Sequence, residues 1–202
     1  MGKLFGTDGI RGVVGENLTA DMAFRVGQAV GTVLMEDKGS RPTVVIGKDT
    51  RISSDMLESA LMAGLCSVGS DVKPVGTIPT PAVAYLTVQE KADAGIVISA
   101  SHNPYEHNGI KVFSGQGYKL SDEVEGRIED RILSEAPMKL RTRGEIGRLV
   151  SDGGRRKVDY IDFVASTISE DLHGMRILVD CANGAASATA PELFGRFQAH
   201  TD

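Results

Sequence analysis

The stretch from Ser99 to His107, Ser-Ala-Ser-His-Asn-Pro-Tyr-Glu-His, gathers hydroxyl, imidazole and amide groups into one short run. Ser101 is the candidate nucleophile, and His102 adjoins it. A serine hydroxyl is weak at its own pKa, so Ser101 needs a base or a metal to become reactive. Considered alone, the run also fits a plain polar turn whose Ser and Asn satisfy nearby backbone groups. Pro104 restricts the loop through its fixed φ, and Gly109 offers a positive φ. His107 reads as surface loop.

Two further segments carry groups suited to an anionic ligand. Residues 5–12, Phe-Gly-Thr-Asp-Gly-Ile-Arg-Gly, place glycines around Thr7, Asp8 and Arg11. That backbone can bend close to a ligand, and the planar fork of Arg11 matches phosphate. A flexible N-terminal loop with a surface arginine is the plainer alternative. The order strand, G-x-G-x-x-G, helix is missing, so this is not a dinucleotide fingerprint. Lys48-Asp49-Thr50-Arg51 forms a charged turn after the apolar run Thr43–Gly47. Its Gly-Lys pair is not a P-loop, because Pro42 stands where that motif needs glycine.

These loops must be held by regular elements. Ile96–Ile98 and Ile110–Phe113 have the β-branched content of two neighbouring strands. Thr19 caps a helix running to Asp37, with Ala23, Val26, Val30, Val33 and Leu34 on one face and Gly39 as its stop. Ser53 or Ser54 caps a second helix marked by Leu57, Leu61, Leu65 and Val68. A strand at Val72–Val75 leads to the rigid turn Thr77–Pro81 and a third helix. Gly115 and Gly117 make a turn, after which Ser121 caps a helix with Val124, Ile128 and Ile132 inward.

Strands alternating with helices predict an α/β fold, with a mixed, mainly parallel sheet sandwiched by helices. Ligands in such sheets bind beyond the carboxyl ends of the strands. Lys48–Arg51 and Ser99–Pro104 both follow strands and should open onto one edge. Pro137–Gly154 is poor in apolar residues and reads as a boundary, with at most a short strand at Ile146–Val150. Residues 1–154 are then one domain, and residues 155–202 the incomplete start of a second, similar α/β domain. In it a helix at 158–168, a strand at 176–180 and a helix at 188–197 are expected. The chain stops at His200–Asp202, where another strand is due, so it is expected to be a piece of a longer protein.

Composition narrows the class. Apolar residues make up 41% and charged residues 24% of 202, which is ordinary for a globular protein. The net charge of −5 and the scattered basic residues give no nucleic-acid surface. Lys139–Arg156 reads as solvated linker. Cys66 and Cys181 have neither disulfide-framework nor zinc spacing and fit a reducing cytoplasm. No apolar run approaches transmembrane length, and no signal peptide opens the chain. Gly6 stands where a myristoylation motif needs Ser or Thr.

Phe5–Gly12, Lys48–Arg51 and Gly95–Phe113, in this order and spacing, resemble the α-D-phosphohexomutases. The opening Met-Gly-Lys-Leu-Phe-Gly-Thr-Asp-Gly-Ile-Arg-Gly and the run Ser-Ala-Ser-His-Asn-Pro…Asn-Gly-Ile-Lys-Val-Phe carry the likeness, joined by Asp180-Cys-Ala-Asn-Gly-Ala. The resemblance implies a four-domain enzyme interconverting glucosamine 6-phosphate and glucosamine 1-phosphate for cell-wall precursors. It implies that Ser101 carries a phosphoryl group, gives it to the sugar to form a bisphosphate intermediate, and recovers the other phosphate. It further implies Mg²⁺ held by the phosphate on Ser101 and by carboxylates, Lys111 assisting proton transfer, Arg11 lining the pocket and His102 orienting the nucleophile. By strand alternation Lys111 points opposite to Ile110 and Val112.

The family's acidic metal loop, Asp-Gly-Asp-x-Asp-Arg, is not in these residues, and its sugar-specificity loop and fourth domain would lie beyond Asp202. Negligible mutase activity is therefore expected of this polypeptide alone. A phosphomannomutase/phosphoglucomutase and a non-catalytic isolated domain are the alternatives. A Ser-His hydrolase is disfavoured, since no Gly-x-Ser-x-Gly elbow is present and adjacent loop residues should point apart.

Overall fold

The computed structural model describes residues 4–6, 9–134 and 137–201. Thr7 and Asp8 of the glycine-rich opening lie outside the described residues. The first strand, β1 (Ile10–Val13), precedes helix α1 (Ala20–Lys38). Thr19 caps α1 by accepting the Met22 N–H at 3.1 Å, and Gly39 ends it in the left-handed conformation at φ 69°. Strand β2 (Thr43–Lys48), helix α2 (Ser54–Ser67), strand β3 (Asp71–Thr77) and helix α3 (Thr80–Gln89) follow. Next come β4 (Ala94–Ile98), β5 (His107–Ser114) and α4 (Asp122–Leu133), the last capped by Ser121.

The five strands lie in the order β1-β5-β4-β2-β3. β4 pairs parallel with β2, and β2 with β3; β5 runs antiparallel to both β4 and β1. Four strands thus share one direction, and β5 alone opposes them. Val44, Ile46, Ile96, Ile98, Ile110 and Val112 point to the face covered by α1, α2 and α4. Val45 and Val97, one residue out of phase, pack with Ile78, Val83 and Leu86 of the α3 side. The period-two switch between layers is what a strand buried on both faces requires.

Several expectations need correction. β5 begins at His107, which pairs with Val13 and is only half exposed, so it is part of the sheet rather than of a surface loop. Residues 146–150 form no strand among the described residues. They lie along the β3 edge through one bridge, with Val72 N–H donating to Arg148 O at 2.8 Å and Val150 N–H to Val72 O at 2.7 Å. Ser53 precedes α2 but makes no cap bond; its hydroxyl serves Asn108 instead. In the C-terminal part, helix α5 spans Arg155–Ala165, and strand β6 holds only Arg176–Ile177. The helix expected at 188–197 is split into a 3₁₀ turn, Ala185–Ala188, and a short helix α6, Ala190–Gly195. A final strand β7 (His200–Thr201) pairs parallel with β6.

Arg156 is another departure, being 6% exposed rather than solvated. It donates to Val150 O at 2.9 Å, and its Nε lies 3.2 Å from Glu90 Oε1, off the N–H direction, as an ion pair. Burial alone would raise the Glu90 pKa, but the hydrogen bond from Lys73 and the charge of Arg156 override it and hold the carboxyl low. Asp152 behaves likewise: burial opposes ionisation, yet bonds from the Arg156 and Gly154 N–H groups leave it lowered. Carboxyls depressed on folding add stability that is present above their unfolded pKa and lost as pH falls through the folded one. Melting temperature should therefore be flat near pH 6 and fall below about pH 4, the ordinary carboxylate range. Glu90→Gln should flatten that fall; an unchanged acid slope in this variant would contradict the account.

Candidate active site

At the carboxyl ends of β2 and β4 the chain leaves the sheet on one edge, and the two turns meet there. Asp49 N–H donates to Ile98 O at 2.9 Å, which locks the exit of β2 to that of β4. Residues 49–52, 79–81, 99, 101–103, 105 and 182–185 border an open cleft of about 690 Å³. Ser101 and His102 stand exposed on its wall.

Ser101 adopts φ 58°, a left-handed backbone that a residue with a Cβ seldom takes. Strain of this kind persists only where the surroundings over-determine it, and it clusters at functional sites. Ser101 N–H donates to Ser99 Oγ at 3.0 Å, and Ser101 Oγ lies 3.3 Å from His102 Nδ1. The left-handed turn thus brings together neighbours that an extended loop would point apart. Among the described residues no carboxylate hydrogen-bonds the His102 ring, so the pair lacks the third group of a hydrolytic triad.

Gly109 does not use a positive φ, contrary to the expectation. Its glycine identity answers to space instead: a Cβ there would meet Ser99 O at 2.8 Å and Arg11 Cγ at 3.0 Å. Arg11 pairs with Gly109, and Lys111 with Val97, so Arg11 and Lys111 share the α3 face of the sheet by strand alternation. Lys111 borders a neighbouring hollow of about 190 Å³ together with Gly9, Lys119 and Glu125. Thr80 lines both hollows and forms their common wall. Ser101 and His102 therefore sit together in the cleft, with Lys111 in the neighbouring hollow and Arg11 on the edge strand β1, level with Gly109 of β5.

Two features have a place in the site that their motifs do not display. The first is Arg51, half-buried beneath the Ser101 loop with its side chain 11% exposed and paired with Asp49 at 3.0 Å. The signal was present only as the charged turn after β2. The second is the placing of 182–185, part of the Asp180-Cys-Ala-Asn-Gly-Ala run that carries the likeness, on the cleft: Ala182 and Asn183 have positive φ and Asn183 O accepts the Thr50 hydroxyl at 2.6 Å. Lys48, by contrast, is not offered to a ligand. Its ammonium pairs with Asp55 at 2.6 Å and with Glu58. Burial would lower its pKa, but those two hydrogen bonds prevail and hold it above its usual value.

No three His, Cys, Asp or Glu side chains gather as a metal site among the described residues. Asp49, the carboxylate on the cleft, is already engaged by Arg51 and by Ser54 Oγ at 2.8 Å. The residues present therefore do not form the magnesium site that the resemblance implies. No helix among the described residues is long and apolar enough to cross a membrane.

Residues 2–139 match the family described as phosphoglucomutase/phosphomannomutase, alpha/beta/alpha domain I. A phosphoglucosamine mutase of Clostridium botulinum (strain Langeland) is 52% identical over 200 residues, covering 98% of this chain and 44% of that protein. A phosphoglucosamine mutase of Desulforamulus reducens is 54% identical over 203 residues, covering 98% and 45%. Among solved structures, a phosphoglucomutase/phosphomannomutase family protein of Burkholderia thailandensis superposes with a TM-score of 0.79 at 27% identity, covering 98% of this chain and 43% of that one. The chain thus spans less than half the length of the relatives it matches. Its fold and its sequence agree, and the chain belongs to the phosphoglucomutase/phosphomannomutase family, whose first α/β/α domain its residues 2–139 form.

Proposed function

We propose that this chain is the phosphoryl-carrying part of a phosphoglucosamine mutase, interconverting glucosamine 6-phosphate and glucosamine 1-phosphate for cell-wall precursors in the cytoplasm. One observation carries the reading: Ser101, in the Ser-His-Asn-Pro run, is exposed at a strained corner on the wall of the cleft where two strand ends meet. The relatives named phosphoglucosamine mutase, more than half identical over nearly the whole chain, favour glucosamine over other hexoses.

In this reading a sugar hydroxyl oxygen attacks the phosphorus of phosphorylated Ser101. The P–Oγ bond breaks, its electron pair stays on Ser101 Oγ, and the sugar becomes a bisphosphate. After the bisphosphate turns over in the cleft, Ser101 Oγ gives up its proton and attacks the phosphorus of the other phosphate; the bond from that phosphorus to the sugar oxygen breaks, and the sugar oxygen keeps the electron pair and takes up a proton as a hydroxyl. Lys111, whose hollow shares Thr80 with the cleft, carries the proton of the attacking or leaving hydroxyl. His102 Nδ1 orients Ser101 Oγ or its phosphate, and Arg11 lines the phosphate side. A phosphoserine adds about −1.5 to −2 charges, which basic side chains near the cleft offset. The phosphate on Ser101 would be this chain's donor to magnesium, which would spread charge off the transferred group. Residues 155–202 begin a second domain, whose segment 182–185 closes the far side of the cleft.

The test is turnover of the protein as its gene encodes it in full, on the 6-phosphates of glucosamine, glucose and mannose, with the matching bisphosphate as primer. Preferred turnover of glucosamine 6-phosphate supports the reading. Preference for mannose or glucose phosphate would make it a phosphomannomutase/phosphoglucomutase, and no turnover of any would overturn it.

A further inference from the structure

We infer that Arg51 is a positioning residue, holding the Ser101 loop in its reactive shape through four N–H groups of its guanidinium while the fifth anchors it to Asp49. The inference rests on the reading of Ser101 as the phosphoryl carrier. Arg51 Nη2 donates to Ser101 O at 3.1 Å and to Asn103 O at 2.8 Å. Its Nη1 donates to Pro104 O at 2.7 Å and His107 O at 3.0 Å. Its Nε donates to Asp49 Oδ2 at 3.0 Å. A guanidinium has five N–H donors in a rigid fork, and all of them are taken here.

The other end of this clamp is fixed as well. Asp49 Oδ1 accepts the Arg51 N–H at 3.1 Å and the Ser54 hydroxyl at 2.8 Å, which ties the arginine to the first turn of α2. Asn108 Nδ2 donates to Ser53 Oγ at 2.9 Å and to Ser54 Oγ at 3.1 Å, while Asn108 Oδ1 accepts the Gly109 N–H at 2.8 Å. The Ser101 loop is therefore bolted to α2 at its base and cross-braced from inside by one side chain. This supplies the over-determination that the left-handed φ of Ser101 demands.

Two consequences separate this role from substrate binding. No donor of Arg51 remains for a sugar phosphate, so its loss should leave substrate affinity nearly intact. Lysine cannot replace it, because three donors on one point charge cannot span four carbonyls set around a planar fork. A nucleophile displaced by about 1 Å loses roughly a hundredfold in rate, and that loss belongs to kcat.

The experiment compares the wild-type protein, as its gene encodes it in full, with Arg51→Lys in steady-state turnover of glucosamine 6-phosphate. Amide hydrogen exchange of residues 101–107 is measured in parallel. Arg51→Lys should lose about a hundredfold in kcat, keep KM within about threefold, and exchange faster at 101–107 with α1 unchanged. A kcat near wild type, or a loss carried by KM, overturns the inference while leaving the role of Ser101 standing. Should Arg51→Lys not fold, Asp49→Asn decides: a kcat lowered about tenfold at unchanged KM supports the clamp, and an unchanged kcat overturns it. A wild-type protein without turnover and without phosphate on Ser101 removes the reading beneath the inference, and the inference with it.

Discussion

Replacing Ser101 with glycine should abolish phosphoryl transfer and leave the protein at least as stable as before. The two effects have separate causes. Removing a nucleophile that carries the transferred group eliminates the covalent route, and turnover should fall by at least about a thousandfold. Stability moves the other way, because Ser101 holds a left-handed φ of 58°. A side chain in that region costs roughly 1–2 kcal/mol, and glycine escapes the cost while losing about 0.5–1 kcal/mol of unfolded-state entropy. The net gain is about 0.5 kcal/mol, and the hydroxyl gives up only its 3.3 Å contact with His102. Ser101→Ala is the control: inactive like glycine, without the relief. Thermal melts beside turnover assays check both, and a glycine variant markedly less stable than wild type would show that the left-handed corner is not strained.

The second large effect lies far from the chemistry, where α1 crosses α2. A Cβ at Gly64 would sit 2.1 Å from Phe24 O, and one at Gly27 would sit 2.4 Å from Leu61 O. Each helix is thus in backbone contact with the other through a missing side chain. A methyl group cannot fit against a carbonyl at that distance, so Gly64→Ala must push the helices apart. Overpacking of this kind costs about 1–3 kcal/mol, and the upper end applies because backbone must move. The displacement also reaches the site, since the first turn of α2 carries Ser54, which holds Asp49, and Ser53, which receives Asn108. Gly64→Ala should lower the melting temperature and, at a temperature where it is still folded, reduce kcat as well. Gly126, whose Cβ would meet nothing within 4 Å, is the matched helical control and should tolerate alanine. Equal stability of both variants would refute the close-crossing explanation.

Much of the fold was legible because its signals are local. Thr19, Gly39 and Ser121 announce helix ends through side-chain oxygen and backbone freedom, and the apolar runs of β2 and β4 announce strands buried on both faces. Convergence of Lys48–Arg51 with Ser99–Pro104 followed from the rule that parallel strands open at their carboxyl ends. What escaped depends on backbone atoms at long range. Arg51 recognises four carbonyl oxygens, and a carbonyl has no side-chain identity for a sequence to display. Glycine is the usual host of a left-handed φ, so the sequence points to Gly109 for it, whereas Ser101 takes it. His107 reads as loop for its polarity, yet its pairing with Val13 depends on β1, far away in the chain. Arg156 reads as solvated among basic neighbours; Asp152 is a partner four residues away, but Glu90, its long-range partner, is set by tertiary packing.

Phosphate mapping tests the central claim most directly. The protein, as its gene encodes it in full, is incubated with glucosamine 1,6-bisphosphate, digested, and its peptides sequenced by mass spectrometry. The account predicts one added phosphoryl group, on Ser101, which unlabelled glucosamine 6-phosphate then removes. An unmodified Ser101, or a transferable phosphate on any other residue, would contradict it.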